Sequence, residues 1–190
     1  VKTVNYIQHA TENLPSTEQT VSYPLDGITF SYLVDSKWAV KEGTQNFSGN
    51  AYTHYAGGGE NPVVGEDGVP TKGSVMGFLP QFDGKLEVCV VVNGGKAIYI
   101  REDGVAINGV TNDGTAISEG TKLAEKLYGT IAFDVKAGKQ YYLYCTGSKM
   151  GYYGFSYSYE EMEDAPAEPT TEKAYATFEA PTNTNAIWNA

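Results

Sequence analysis

The sequence predicts an all-β fold, an antiparallel β-sandwich of jelly-roll-like form. Three observations predict it. Short runs alternate apolar and polar side chains with period two. Gly, Asn and Asp turns separate those runs at short intervals. Helical periodicity is almost absent, which leaves a two-layer sheet packing as the way to bury the apolar faces.

The runs follow in order. Ile28-Thr29-Phe30-Ser31-Tyr32 alternates, and so does Thr130-Ile131-Ala132-Phe133-Asp134-Val135, where Ile131, Phe133 and Val135 share one face. Further strands are predicted at 75–79, 86–92, 97–101, 141–145 and 153–159, with Tyr153, Phe155 and Tyr157 on one face of the last. The run 86–92 is apolar on both faces, as expected of a central strand or one covered by a loop. Asp83-Gly84-Lys85 before it and Asn93-Gly94-Gly95 after it read as tight hairpin turns. Glu102-Asp103-Gly104, Asn112-Asp113-Gly114 and Lys136-Ala137-Gly138-Lys139 supply the other turns. Residues 119–127 read as a short helix or a loop. Residues 43–73 hold Gly57-Gly58-Gly59, Asn46, Asn50, Asn61, Pro62 and Pro70 among the rings of Phe47, Tyr52 and Tyr55. So long a stretch without alternation is uncommon in a compact domain unless it carries function or is disordered.

Residues 1–159 are expected to form the sandwich. The composition changes after Tyr159: residues 160–173 are acidic and carry Pro166 and Pro169, the composition of an extended linker. Residues 174–190 regain strand character at Ala176-Thr177-Phe178 and read as the opening of a following module. The start, Val1-Lys2-Thr3-Val4-Asn5-Tyr6, has no basic region ahead of an apolar one and is not a signal peptide.

The chain is rich in one amphipathic ring, with 15 Tyr among 22 Gly, and poor in His and Cys, with 2 of each. Tyrosine can stack through its face and hydrogen-bond at its edge, but it is also a strand former that covers sheets. A net charge of −10 argues against nucleic acid, which needs clustered Lys and Arg, and weakly against a strongly anionic polysaccharide. Part of that charge is local, at Glu160, Glu161, Glu163, Asp164, Glu168 and Glu172. No apolar run approaches the roughly 20 residues of a membrane span. Cys89 and Cys145 lie inside strand-like runs and read as buried thiols, their spacing leaving a disulfide open.

The catalytic inventory is thin. There is no nucleophile elbow, no His-Glu-x-x-His and no phosphate loop. His9 and His54 stand alone in polar segments, and paired carboxylates of the glycosidase kind are not readable from one sequence. No cofactor is expected. Glu66-Asp67-Gly68, Asp103 and Asp113 offer oxygens for a structural Ca²⁺, but none matches a calcium loop, and turn formation accounts for them.

A pyranose offers a C–H patch on one face and hydroxyls round its rim, so a stacking ring beside Asn, Lys or His suits it. Two clusters have that mixture. One is Trp38 with Asn46, Asn50, Tyr52, His54 and Tyr55; the other is Lys149, Tyr152 and Tyr153. Trp38 is either an exposed platform or a core ring closing one end of the sandwich. Tyr152 and Tyr153 are either platform or core.

Several short patterns occur together: Gly68-Val69-Pro70-Thr71-Lys72-Gly73, Phe82-Asp83-Gly84-Lys85-Leu86-Glu87-Val88, Lys96-Ala97-Ile98-Tyr99-Ile100, and Gly147-Ser148-Lys149-Met150-Gly151-Tyr152-Tyr153-Gly154-Phe155 after Ala137-Gly138-Lys139-Gln140-Tyr141-Tyr142-Leu143-Tyr144. With them the chain resembles the β-sandwich carbohydrate-binding and accessory modules of secreted plant-polysaccharide-degrading enzymes of gut and rumen Bacteroidetes. The resemblance implies a monomeric, non-catalytic module, secreted or at the cell surface. Its expected partners are a plant polysaccharide, xylan or another hemicellulose foremost, and a covalently linked catalytic domain, with neither nucleic acid nor membrane among them. It assigns no binding residues.

Overall fold

In the computed structural model of the chain, the residues described are 1–5, 29–32, 37–47 and 49–160. The predicted linker beyond Glu160, the predicted module 174–190, His9 and Ile28 lie outside them. Among the described residues the chain forms β1 (Lys2–Asn5), β2 (Thr29–Tyr32), β3 (Ala39–Phe47), β4 (Asn50–Gly57), β5 (Val63–Val64), β6 (Pro70–Lys72), β7 (Met76–Leu79) and β8 (Gly84–Val92). It continues with β9 (Ala97–Glu102), β10 (Val105–Ala106), β11 (Gly109–Thr111), β12 (Ala116–Ile117), β13 (Thr121–Lys122), β14 (Leu127–Val135), β15 (Tyr141–Thr146) and β16 (Gly151–Tyr159).

These strands make an all-β antiparallel sandwich of jelly-roll-like topology. One sheet runs β12-β11-β14-β8-β16-β4-β3, with β1 also paired to β16; the other runs β10-β9-β15-β7-β2, with β13 on β9. A small hairpin, β5-β6, stands apart. The double-sided apolar run is β8, held between β14 and β16 in the middle of the larger sheet. Leu86, Val88, Val90 and Val92 point from it into the main core, where they meet Ile98, Ile100 and Leu143 of the opposite sheet. Cys89 and Val91 point the other way, as alternation along a strand requires.

Four sequence expectations change. The turns at 83–85 and 93–95 are not hairpins: β7 and β9 belong to the smaller sheet, so both turns carry the chain from one layer to the other. Residues 119–127 form no helix; Thr121 and Lys122 pair with Ile98 and Ala97. Residues 43–47 and 50–57 are not a loop but lie within two long paired strands, β3 and β4. Their alternation is hidden by a register shift between Glu42 and Gln45, where β3 carries an extra residue. A second shift, between Tyr152 and Gly154, separates Tyr153 from Phe155 and Tyr157. Phe155 and Tyr157 enter the main core, whereas Tyr153 joins a cluster on the other face of the sheet.

Cys89 and Cys145 are buried free thiols. Three of the acids that offered oxygens for calcium accept backbone hydrogen bonds. Asp67 accepts from the Val69 N–H at 3.0 Å, Asp103 from Gln140 N–H at 3.0 Å, and Asp113 from Thr115 N–H at 3.1 Å. Among the described residues no three His, Cys, Asp or Glu side chains gather as a metal site would need. Nor, among them, is any helix long and apolar enough to cross a membrane.

Candidate functional site

The outer face of the larger sheet carries a second, smaller apolar cluster of Phe47, Tyr52, Cys89 and Tyr153. Its rings pack edge and face: Phe47 lies 5.2 Å from Tyr52 and 5.0 Å from Tyr153, centroid to centroid. Tyr55 and Val91 are its part-exposed border. The Tyr55 centroid is 5.3 Å from that of Tyr153, tilted by 40°.

Tyr55 lies down on the sheet because glycines leave it room. A methyl at Gly43 would come within 2.8 Å of the ring's Cε1. On the ring's opposite edge, a methyl at Gly57 would be 3.1 Å from Cε2, and one at Gly151 would be 2.8 Å from Cδ2. Both ring edges therefore rest against bare backbone of β3, β4 and β16. The part-exposed ring also lines a cleft.

That cleft has a volume of about 420 Å³, and Tyr55, Val91 and Gly151 form its floor. Lys41 stands on β3, opposite Tyr55 in the strand pairing. Lys126 comes from the approach to β14, and Lys149 from the crossover between the sheets. Asn61, Asn93 and Ser148 complete the rim, with the Asn93 amide donating to Ser148 Oγ at 3.3 Å. Beyond Val91 its cross-strand partner Tyr128 is 42% exposed. Lys126 Nζ sits 4.7 Å from the Tyr128 ring centroid, within cation–π range.

The nine residues proposed from sequence divide sharply. Tyr55 and Lys149, one from each predicted cluster, meet at this cleft. Trp38 (0% exposed), Tyr52 (2%), Tyr152 (1%) and Tyr153 (1%) are core. A ring enclosed on both faces has no surface left for a sugar, so the platform expectation is corrected for these four. Tyr152 instead joins the layers, its hydroxyl donating to the Leu143 carbonyl at 2.8 Å. Burial pushes the Tyr153 phenol up to about 12. Asn46 closes the β3–β4 turn, its side-chain oxygen accepting from Gly49 N–H at 3.0 Å. His54 Nδ1 is 2.7 Å from Thr53 Oγ1 on the same hairpin. Neither lines the cleft. The backbone of Asn50 begins β4, and its side chain is outside the description.

Sequence reading missed Lys126, Tyr128, Asn61, Asn93 and Ser148. Tyr128 falls in step with Thr130 and Ala132, and β14 begins at Leu127, three residues before the alternating run read from the sequence.

A second concavity, about 740 Å³, lies beside Val1 and Glu160 with Phe82 and Tyr159 in its wall. These two rings stack on each other at 4.8 Å and 4°, and Tyr159 also packs on Tyr157 at 4.7 Å.

No family model and no curated protein matches the chain. Among solved structures it is similar to a chain from work on the Ruminococcus flavefaciens cellulosome and its expansion in glycan recognition, at 11% identity and a TM-score of 0.38, over 84% of this chain and 94% of that one. It is also similar to the CBM22-1–GH10 modules of endo-1,4-β-D-xylanase 10B from Clostridium thermocellum, complexed with xylohexaose. There the identity is 12% and the TM-score 0.41, over 80% of this chain and 30% of that one. At these scores the likeness assigns no function to this chain.

Proposed function

We propose that this protein is a non-catalytic glycan-binding module that holds a covalently linked glycoside hydrolase or esterase against plant cell-wall polysaccharide, with xylan or another hemicellulose as the target. It works in the secreted or surface-bound enzyme. One observation carries the reading: the part-exposed Tyr55 ring, seated where Gly43, Gly57 and Gly151 leave it room, lines a cleft together with Lys41, Lys126, Lys149, Asn61 and Asn93. A sugar's C–H face covers the ring while the rim reads its hydroxyls. Among the described residues no carboxylate, His or Cys lines the cleft, so the geometry favours binding over hydrolysis, which needs two acids flanking the bond.

Covering one ring face buries about 70 Å² of apolar surface, worth ~2 kcal/mol at ~25 cal/mol/Å². Tyr55→Ala is therefore expected to weaken glycan binding by roughly thirtyfold. Its melting temperature should stay within a few degrees, since the ring lies at the cluster's border. Calorimetry of both proteins against a polysaccharide panel checks this. A wild-type chain retained by no glycan leaves a spacer module, and release of reducing ends from any of the panel makes it an enzyme.

The glycine floor is tested separately. A methyl at residue 151 would lie 2.5 Å from Val91 Cγ1 as well as 2.8 Å from Tyr55. Gly151→Ala is expected to lift the ring, costing about tenfold in binding and about 1–2 kcal/mol in stability. Unchanged affinity in a folded variant would mean that the flat ring pose is unimportant.

A further inference from the structure

We infer that the sugar taken by this cleft is an acidic one, a pyranose carrying a carboxylate or a sulfate; the inference rests on the glycan-binding reading and names its ligand class. The chain has 23 acidic residues against 13 basic ones, and its net charge is −10. The cleft reverses that balance. Lys41, Lys126 and Lys149 line it, and no Asp or Glu does.

Four basic side chains elsewhere on the described body are paired at close range. Lys37 pairs with Glu60 at 2.8 Å, Lys136 with Asp83 at 2.9 Å, Lys139 with Asp103 at 3.0 Å and Arg101 with Glu119 at 2.8 Å. Glu60 follows Gly58 and Gly59 at the edge of the cleft, yet its carboxylate is taken up by Lys37. That hydrogen-bonded ammonium, with a weaker contribution from Lys149, holds the Glu60 carboxyl below the usual range. Among the described residues no carboxylate forms an ion pair with Lys41, Lys126 or Lys149.

Lys41 lies along the cleft wall, so that a methyl at Gly58 would be 2.1 Å from its Nζ. Lys126 is drawn over Tyr128. The three come from separate parts of the chain, so no local run of basic sequence explains their meeting. The rim's chemistry points the same way. A sugar hydroxyl both donates and accepts, and the oxygens of Asn61, Asn93 and Ser148 can meet it as acceptors. Lysine only donates, which suits a group that only accepts. With Tyr55 beneath the ring, the anion at the sugar's edge would face these ammonium groups.

The experiment compares binding of the full chain to polygalacturonate, its methyl ester, neutral arabinoxylan and a sulfated galactan, at 20 mM and at 1 M NaCl. The expected result is at least tenfold tighter binding to one of the two acidic polymers than to both neutral ones at low salt. Which acidic polymer wins identifies the anion as carboxylate or sulfate. The advantage should vanish at 1 M, where the Debye length is about 3 Å. The triple variant Lys41→Gln, Lys126→Gln, Lys149→Gln should bind all four alike at low salt. Equal wild-type affinity for acidic and neutral polymers, an advantage untouched by salt, or one kept by a folded triple variant overturns the inference and leaves the glycan reading standing. If none of the four is bound by the wild-type chain, the inference falls together with the reading under it.

Discussion

Trp38→Ala is expected to destabilise the protein by about 3–5 kcal/mol, the range for removing a large ring from a packed core. For a chain of this size that lowers the melting temperature by roughly 10 °C. The side chain is 0% exposed and belongs to the main core. It enters there from a corner: Lys37 takes a left-handed backbone with φ of 47°, and its ammonium is tied to Glu60 at 2.8 Å. β3 begins at the next residue after Trp38, so the ring anchors the edge strand that carries Lys41 and Gly43. Loss of the anchor should therefore loosen the cleft only as the fold loosens. Glycan affinity per folded molecule should fall far less than in Tyr55→Ala. Thermal melts and calorimetry on the same samples test both halves. An unchanged melting temperature with glycan binding abolished would put the ring at the binding surface and overturn its assignment to the core.

The contrast between Trp38 and Tyr55 shows what the residues disclose on their own. β14 is readable because Ile131, Phe133 and Val135 recur with period two, and β8 because a central strand buried on both faces reads as a continuous apolar run. β3 and β4 are not, because the pairing shifts register at Glu42–Gln45, and Tyr52 and Tyr55 both reach one cluster although three residues apart. The turns at 83–85 and 93–95 look like hairpins because a tight Gly turn has the same chemistry whether the next strand pairs with the last or crosses to the other layer. Ring burial is the hardest to read. Tyr52 and Tyr55 sit three residues apart on β4, yet Tyr52 is buried against Phe47, while Tyr55 stays part-exposed at the cluster's border beside Tyr153. Residue type cannot separate them, since tyrosine serves both places. The lysines of the cleft were invisible as a group because only folding brings 41, 126 and 149 together.

The same enclosed groups set a second large effect, a loss of stability in alkali. Burial pushes the Cys89 thiol up to about 12 and the Cys145 thiol up to about 11, from an ordinary value of 9.0. Burial likewise raises the phenols of Tyr153, Tyr144 and Tyr157. It raises that of Tyr141 too, and there the hydrogen bond donated to Glu102 adds to it. In each case the folded chain keeps a proton that the unfolded chain releases. Between about pH 9 and 12 the native state thus binds more protons than the unfolded one, and stability falls as pH rises. Below pH 9 both states are protonated and the contribution is intact. At pH 11 each thiol accounts for on the order of 2 kcal/mol, and together they lower the melting temperature by on the order of 10 °C relative to pH 8. The acid side has the opposite sign. Asp83, Asp103 and Asp113 have lowered values through hydrogen bonds, so their stabilisation is present above the ordinary carboxylate range and lost below it. These carboxylates face solvent, which makes that limb shallow. Melting curves from pH 4 to 11 should fall steeply only at the alkaline end, and less steeply for Cys89→Ala/Cys145→Ala. A profile that stays level to pH 11 would mean that hydroxide reaches these thiols in the folded state, contrary to their enclosure between and against the sheets.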